Sequence, residues 1–412
     1  MVSDTENCRP GGAPIRVLTF TTLYPSAAQP SHGIFVENRL RHLLATGRVQ
    51  ARVVAPVPWF PSTASVFGRY ALLARAPRSE NRNGIPIAHP RHIILPRLSM
   101  PFAPISLFAA TLSLIRQHKR LADFDLIDAH YFYPDGVAAV LLGQAVGKPV
   151  VITARGTDIN LIPRYVIPRR LIRYAAQRAA GMIAVSQALK DAMVALGIAP
   201  ERIAVLRNGV DLVMFRPGDR EVSRAALGIN GRILLSVGHL IERKGHDLTI
   251  GALSRLQGYT LLLAGDGPEH ARLRALASTL GVADRVRFLG AVPHQELANL
   301  YTAADALVLS SSREGWPNVL LEAMACGTPV VASAIWGNPE IVSRPEAGVL
   351  MRARTPECIA EAVQTLLRAS PRRQATRAFA ERFSWDDTSA GQIQLFERIL
   401  ARSRDSGSIV SR

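Results

Sequence analysis

Two series of short β-branched segments, each followed by a stretch with helical periodicity, constrain the fold more than any other feature of the sequence. Strands that alternate with helices build parallel sheets from βαβ units, and a chain of 412 residues is too long for one ordinary core. We therefore predict an α/β protein with two Rossmann-like, doubly wound parallel-sheet domains. The predicted strands are residues 15–20, 51–55, 126–129, 149–153, 181–185 and 203–206, and then residues 233–237, 260–263, 286–289, 306–309 and 330–332.

A polar stretch without periodicity separates the two series. It runs through Asn208-Gly209-Val210-Asp211 and a proline-containing segment at 215–219. Such a stretch is typical of a domain boundary. The predicted organisation is a first domain at residues 1–210, a second at 211–383, a closing helix at 384–402 and a disordered tail at 403–412.

Two segments of the first half depart from the regular alternation. Residues 57–98 are rich in proline and arginine, and we predict a long irregular excursion there. The apolar segment 101–115 is shorter than the roughly 20 residues that span a bilayer, so we predict a buried or interfacial helix.

The net charge of +17 is concentrated in the first half. Residues 1–210 hold 25 Lys and Arg against 11 Asp and Glu, whereas the remainder holds 24 against 21. A positive field attracts phosphates, whether on nucleic acid, anionic lipid or a lipid-pyrophosphate acceptor. Because only four of the 49 basic residues are lysine, an arginine-biased genome is an alternative explanation.

The cysteines and the first residues bear on the compartment. Cys8, Cys326 and Cys358 are widely spaced and form no C-x-x-C pair, which is typical of a reducing cytosol. Asp4 and Glu6 interrupt the N-terminus before any apolar stretch, so we expect no export signal. We therefore expect a cytoplasmic protein.

Segment 310–331 carries the strongest local signal for a binding site. It begins after a strand, passes a glycine loop, starts a predicted helix at Pro317 and ends on Gly-Thr-Pro before the next strand. Proline in the first helical turn leaves the amides of Asn318, Val319 and Leu320 free for an anion. We predict that a phosphate binds there, at a cleft between the carboxyl ends of the two sheets.

Two carboxylates frame this predicted helix. Glu314 lies in the loop and would face the transferred sugar, whereas Glu322 lies two or three turns into the helix and would accept bonds from a ribose diol. A single glutamate at either position would ordinarily be a surface residue. The combination with the helix start and stop favours binding.

Two further loops follow predicted strands of the second half. Arg243 and Lys244 lie at a strand-to-helix turn, where they can neutralise a departing diphosphate without a metal. A basic pair in a loop is, however, often only exposed to solvent. Gly265-Asp266-Gly267-Pro268 predicts a tight turn near a nucleotide but lacks the third glycine of an NAD site. Asp123-Phe124-Asp125 matches a metal-binding D-x-D, but it precedes its strand, and we interpret it as a turn. We predict no metal.

The second half resembles the donor domain of glycosyltransferase family 4, which has the GT-B fold, and the resemblance extends from Ile15 to about residue 400. It implies two domains facing a central cleft, and a closing helix that returns to the first domain. The matching segments are Glu314 and Glu322 (the family's E-x7-E pair), Lys244 (its diphosphate lysine), Gly265-Asp266-Gly267-Pro268 and Arg287-Phe288-Leu289-Gly290 (its nucleotide loops), Asn208-Gly209-Val210-Asp211 (its domain junction) and Ser384-Trp385 (its closing helix).

The first half resembles a subgroup that acts in bacterial cell-surface polysaccharide assembly. We place the acceptor side at Gly33, His130, Arg155 and Asp158, which lie in the segments that carry this resemblance. Two positions depart from the family. His239 stands where the family has an arginine for the donor phosphate, and Arg155 stands where many members have a histidine near the sugar.

The resemblance implies a retaining transfer from a UDP- or GDP-sugar to a glycan or lipid-linked acceptor, without a cofactor. Lys244, Arg243 and the amides near Val319 would stabilise the leaving diphosphate, and residues 336–340 would contact the donor sugar. A GT-B sugar-nucleotide epimerase and a basic nucleic-acid-binding protein are the alternatives. The second lacks a recognition helix or stacking motif, so we expect no nucleic-acid partner.

Segment 162–180 carries five arginines among Ile, Leu and Tyr. It is typical of a peripheral helix on an anionic membrane surface, which would be the inner face of the cytoplasmic membrane. A helix that covers its own sheet with its arginines outward has the same pattern. The sequence leaves both interpretations open.

Overall fold

The computed structural model describes residues 13–93 and 99–410. The strands are β1 (Ile15–Phe20), β2 (Val49–Val54), β3 (Val57–Pro58), β4 (Ser79–Arg82), β5 (Ile85–Ala88), β6 (Arg91–His92), β7 (Leu126–His130), β8 (Val150–Ala154), β9 (Gly181–Ala184), β10 (Ile203–Val205), β11 (Arg232–Val237), β12 (Tyr259–Ala264), β13 (Val286–Gly290), β14 (Ala306–Leu309), β15 (Val330–Ser333) and β16 (Gly348–Met351). The helices are α1 (Ile34–Ala45), α2 (Arg69–Ala74), α3 (Ser99–Gln117), α4 (Val137–Val146), α5 (Thr157–Asn160), α6 (Val166–Arg178), α7 (Gln187–Ala195), α8 (Arg220–Leu227), α9 (His246–Leu253), α10 (His270–Thr279), α11 (Leu297–Ala303), α12 (Asn318–Ala325), α13 (Asn338–Ile341), α14 (Pro356–Ala369), α15 (Arg373–Ala380) and α16 (Trp385–Val410).

The first half of the chain forms an eight-stranded sheet in the order β10-β9-β8-β7-β1-β2-β5-β4. All its pairings are parallel except that of β4 with β5. Central strands such as β7 and β8 are buried along their whole length. Strand β8 is correspondingly apolar apart from Thr153, whereas β7 also buries Asp128 and His130.

The second half forms a six-stranded parallel sheet in the order β13-β12-β11-β14-β15-β16. In both sheets the strand order reverses direction next to the first strand of the unit. Loops that leave the carboxyl ends of neighbouring strands at such a reversal diverge and open a crevice for ligands. The predicted α/β class with two doubly wound parallel sheets is confirmed.

Three details differ from the sequence predictions. Segment 57–98 contains β3 to β6 and α2 rather than an irregular excursion, because short strands add to the sheet edge and β3 pairs with β6. Strand β16 was missed, since its four residues form only a brief apolar run. The closing helix does not end at 402 but continues to Val410, so the part of the predicted disordered tail 403–412 that the structure describes is helical.

Helix α16 returns to the first domain, as the resemblance implied. Its Ile393, Phe396 and Ile399 join the core formed by β1, β2 and α1. The Gln392 side chain donates to Asp128 Oδ2 at 2.8 Å and accepts from Arg39 Nε at 2.8 Å, both within the first domain. Helix α16 therefore holds the end of the second domain against the first domain.

Candidate active site

The loops at the carboxyl ends of the two sheets contact each other across the cleft. A Cβ on Gly315 would lie 1.9 Å from the carbonyl oxygen of Arg155, so only glycine permits this approach between the domains. The Asn160 amide donates to the Glu314 carbonyl oxygen at 3.3 Å. The loop after β8 and the loop after β14 therefore form one continuous surface.

Glu314 lies against the two predicted basic residues. Lys244 Nζ donates to Glu314 Oε1 at 2.8 Å, and Arg243 Nη1 lies 3.8 Å from Oε2. Burial alone would raise the pKa of Glu314, but the charges of Lys244 and Arg243 outweigh it and hold that pKa below its usual value. The structure thus brings together all three residues that the sequence assigned to catalysis.

Glu322 is held at both oxygens by residues that the sequence analysis did not single out. His294 Nε2 lies 2.9 Å from Oε1, and the Tyr301 hydroxyl donates to Oε2 at 2.8 Å. Burial would lower the pKa of His294, but the hydrogen bond to Glu322 and the charge of that carboxylate outweigh this effect and raise it. Each carboxylate oxygen can accept a further bond, so ribose hydroxyls remain compatible with this arrangement.

The glycine loop after β12 packs directly on the backbone of the loop after β11. A Cβ on Gly265 would lie 1.9 Å from the Gly238 carbonyl oxygen, and one on Gly267 would lie 2.4 Å from the Leu240 carbonyl oxygen. His239 is exposed beside them, with Nδ1 3.4 Å from the Asp266 carbonyl oxygen. The predicted donor residues Gly265, Gly267 and His239 therefore lie together at one sheet edge.

The start of α12 differs slightly from the prediction. Pro317 is the residue before the helix, which begins at Asn318. The Leu320 amide donates to the Pro317 carbonyl oxygen at 3.1 Å, so Leu320 is not one of the free donors we expected. The amides of Asn318 and Val319 remain at the helix N-terminus, where the helix dipole favours an anion.

The predicted acceptor residues surround the carboxyl ends of the first sheet, but three of them are buried. Asp158 accepts from the amides of Phe132, at 2.8 Å, and Gly156, at 2.7 Å. His130 lies with Nε2 3.4 Å from Asp128 and Nδ1 2.6 Å from Arg155 Nη2. These buried side chains bond to one another and to the loop backbone, so they support the loops of the first domain. Their part in acceptor binding stays a prediction.

Burial dominates the electrostatics of this supporting layer. It lowers the pKa of His130 to about 4 and that of Arg155 to about 9. His130 is therefore neutral near pH 7, which agrees with an Nδ1 that accepts from Arg155. Gly33 differs from the other three: it is the residue before α1, at a φ of 70°, and a Cβ there would lie 2.3 Å from the Leu23 carbonyl oxygen.

Two predicted donor-binding side chains contact neighbouring helices. Arg287 donates to the Leu227 carbonyl oxygen at the end of α8, at 2.6 Å. Phe288 packs edge-on against His270, with ring centroids 5.0 Å apart. Both residues belong to β13, the edge strand of its sheet, and contact the helices beside it. Their binding to the nucleotide stays a prediction.

Segment 336–340 also has a role beyond the predicted sugar contact. Glu340 Oε1 accepts from the Ala188 amide of the first domain at 3.1 Å. Its Oε2 accepts from Arg207 at 2.6 Å. Glu340 thus joins the second domain to the first domain and to the junction.

Asn208 is a further residue whose role the sequence did not reveal. Its Oδ1 accepts from Arg155 at 3.2 Å and Arg39 at 3.3 Å, while its Nδ2 donates to Asn318 Oδ1 at 3.3 Å. The Trp316 indole donates to its carbonyl oxygen at 3.0 Å. Its place in the Asn-Gly-Val-Asp junction was the only signal, because partners 53 to 169 residues away leave no local pattern.

Within 13–93 and 99–410, no group of three or more His, Cys, Asp or Glu side chains is arranged to hold a metal ion. No helix in the same ranges has the length and apolar character needed to cross a bilayer.

Comparison with known families and proteins agrees with this geometry. The model of "Glycosyl transferases group 1" matches residues 219–383, and that of "Glycosyltransferase Family 4" matches residues 64–213. D-inositol 3-phosphate glycosyltransferase 1 of Catenulispora acidiphila is 31% identical over 439 aligned positions that cover 97% of each chain. The D-inositol 3-phosphate glycosyltransferase of Mycobacterium bovis is 38% identical over 52% of this chain and 48% of its own.

Solved structures share the whole architecture at low sequence identity. Sucrose-phosphate synthase from Thermosynechococcus elongatus superposes with a TM-score of 0.77 at 21% identity, covering 95% of this chain and 100% of its own. HepE of Anabaena in complex with UDP gives 0.71 at 22% identity, covering 94% and 100%. At these identities the likeness shows the fold.

The two facing sheets and the cluster at the cleft between them define a glycosyltransferase of the GT-B class. Within this class, the family is identified by the relative that matches over the full length and by the two family matches. The chain belongs to glycosyltransferase family 4.

Proposed function

We propose that this enzyme transfers a sugar, with retention of configuration and without a metal, from a nucleoside-diphosphate sugar to a phosphate-bearing glycan or lipid-linked acceptor. The observation that carries the proposal is the contact of Lys244 and Arg243 with Glu314 at the cleft. The positively charged Lys244 and Arg243 side chains lie beside the Glu314 carboxylate, which can accept hydrogen bonds from sugar hydroxyls.

The donor half supports a nucleoside diphosphate. The amides of Asn318 and Val319 lie in the first turn of α12, the helix that follows Glu314. A diphosphate between these amides and Lys244 would be bound by the helix dipole and by the charge of the lysine. Glu322 lies further along the same helix, where it would accept bonds from the ribose. The structural relative HepE has been solved with UDP and with UDP-glucose, which favours a UDP-sugar over a GDP-sugar donor.

The proposed reaction breaks the bond between the anomeric carbon and the diphosphate oxygen. The nucleoside diphosphate leaves with the bonding electron pair, and the acceptor hydroxyl oxygen attacks the anomeric carbon from the same face. The acceptor proton passes to the departing phosphate oxygen, so no separate protein base is required. Lys244 and Arg243 stabilise the negative charge that develops on the leaving group.

The acceptor half supports a phosphate-bearing second substrate. Residues 1–210 carry the excess of basic over acidic side chains, 25 against 11. The full-length relative is named for a phosphorylated acceptor, inositol 3-phosphate. A lipid-pyrophosphate intermediate in cell-surface polysaccharide assembly would present the same chemistry, and we propose this class of acceptor for a cytoplasmic enzyme.

Product analysis tests the reaction class. The purified protein is incubated with UDP- and GDP-sugars in EDTA, with and without bacterial lipid extract, and the products are examined by proton NMR. We expect nucleoside diphosphate release that depends on the extract, and an anomeric coupling constant in the product that matches the donor. An altered donor without any acceptor would instead indicate the epimerase, and an inverted product would contradict retention.

A further inference from the structure

The start of α6 presents three consecutive apolar side chains to solvent. Tyr165, Val166 and Ile167 are 53%, 52% and 50% exposed. The helix does cover its own sheet, because Ile172 and Ala175 are fully buried on its inner face. Covering the sheet explains the buried residues and the outward arginines, but it does not explain why three apolar side chains in a row are exposed.

A second exposed apolar group lies on the neighbouring helix. Helix α3 packs against α6, and its Phe102 and Ile105 are 59% and 57% exposed. Both helices lead back from the carboxyl edge of the sheet, so their first turns lie at the edge that borders the cleft. Twelve of the sixteen exposed large apolar side chains of the described residues lie between Trp59 and Ile167, which concentrates them on this domain.

The charge of the segments that carry these side chains is predominantly positive. Residues 159–190 contain six Lys and Arg and no Asp or Glu, and residues 57–122 contain nine against one. Arg164, Arg169 and Arg170 are exposed, and no carboxylate among the described residues forms an ion pair with them. The field of these arginines is therefore not neutralised locally.

We propose that this apolar and basic surface, formed by the first turns of α3 and α6, docks on an anionic lipid bilayer. The apolar side chains enter the interface while the arginines meet lipid phosphates. Docking itself does not depend on the proposed sugar transfer. Its consequence for catalysis, that the cleft is presented to a lipid-linked acceptor, rests on the proposed function.

Vesicle sedimentation tests the surface with a matched pair of double variants. Ile167→Asp with Arg169→Glu alters the proposed surface, while Val222→Asp with Arg368→Glu makes the same chemical change at exposed positions of the second domain. Each protein is mixed with phosphatidylcholine vesicles that contain about one-third phosphatidylglycerol, or none, at about 0.1 M and 0.5 M salt.

We expect the native chain to sediment with anionic vesicles in low salt, and binding to weaken at least about tenfold in the first variant but not in the second. Near-UV circular dichroism verifies that both variants are folded. No binding of the native chain, equal loss in both variants, or full binding by the first variant would each overturn the proposal. Because the assay contains no sugar donor, these outcomes are independent of the proposed reaction.

Discussion

Lys244 and Glu314 are 70 residues apart in sequence, yet Nζ of the lysine lies 2.8 Å from Oε1 of the glutamate. Lys244 ends the turn after β11 and Glu314 follows β14, and these two strands pair in the sheet. Parallel pairing places both loops at the same edge, so the ion pair is a direct consequence of topology. It holds the lysine at the sheet edge where we propose that the diphosphate binds.

Replacing Glu314 by Gln should separate catalysis from nucleotide binding. The amide keeps the size of the side chain but removes the negative charge that pairs with Lys244 and competes with a diphosphate for it. We expect sugar transfer to fall at least about 100-fold, while nucleoside diphosphate binds as tightly as before or more tightly. Steady-state kinetics and calorimetry measure the two quantities, and a parallel loss of both would contradict the assignment.

Arg39 tests how strongly the closing helix is anchored. Its guanidinium is fully buried and donates to Gln392, the Leu206 carbonyl oxygen and Asn208. Arg39→Met leaves these three buried acceptors without their donor. We therefore expect the free energy of unfolding, measured by urea titration, to fall by about 3 kcal/mol.

The exposed Arg41, on the same helix, provides the control for Arg39. Arg41→Met should change the free energy of unfolding by no more than about 0.5 kcal/mol. Similar effects of the two substitutions would show that the buried network does not stabilise the return of α16.

Substitutions at Gly265 and Gly258 separate two reasons for a glycine: lack of space for a Cβ, and a positive φ. Both have positive φ, 152° and 74°, but a Cβ at Gly265 would lie 1.9 Å from the Gly238 carbonyl oxygen, whereas nothing lies within 4 Å of one at Gly258. We expect Gly258→Ala to cost about 1 kcal/mol of unfolding free energy. Gly265→Ala should cost more and also weaken nucleotide binding, and equal effects in thermal and binding measurements would exclude the close packing of the two loops.

The His294–Glu322 pair should make folding stability depend on pH. The folded-state pKa of His294 is raised above its unfolded value of about 6.5. The pair therefore contributes fully below that pH, and its contribution is lost as the pH rises through the folded-state pKa. In urea titrations from about pH 6 to 9, the stability difference between the native chain and His294→Gln should shrink. A difference that stays constant or grows would contradict the raised pKa.

The sequence predicted the fold and the donor-side cluster because both depend on local patterns. Apolar runs marked the central strands, and Lys244 and Glu314 each follow such a strand. Interactions between distant segments could not be predicted in this way. His294 binds Glu322 from 28 residues away, and Arg39 meets Gln392 across 353 residues.

The predicted acceptor residues show a second limit of prediction from the sequence. His130 ends β7 and Asp158 follows β8, where functional residues in such sheets lie, but both side chains are buried. Sequence position specifies the edge of the sheet at which a residue lies. The direction of its side chain depends on the packing of the loop, which in this case Asp158 organises by accepting from three backbone amides.

The central claim is a metal-independent diphosphate site at Lys244, and calorimetry of UDP and GDP in the presence of EDTA tests it most directly. The variants are Lys244→Ala and, as a control, Lys148→Ala, which precedes β8 at the opposite edge of the first sheet. We predict micromolar binding of one nucleotide by the native chain and the control, and at least about tenfold weaker binding by Lys244→Ala. Binding of neither nucleotide by the native chain, or equal binding by all three proteins, would contradict the account.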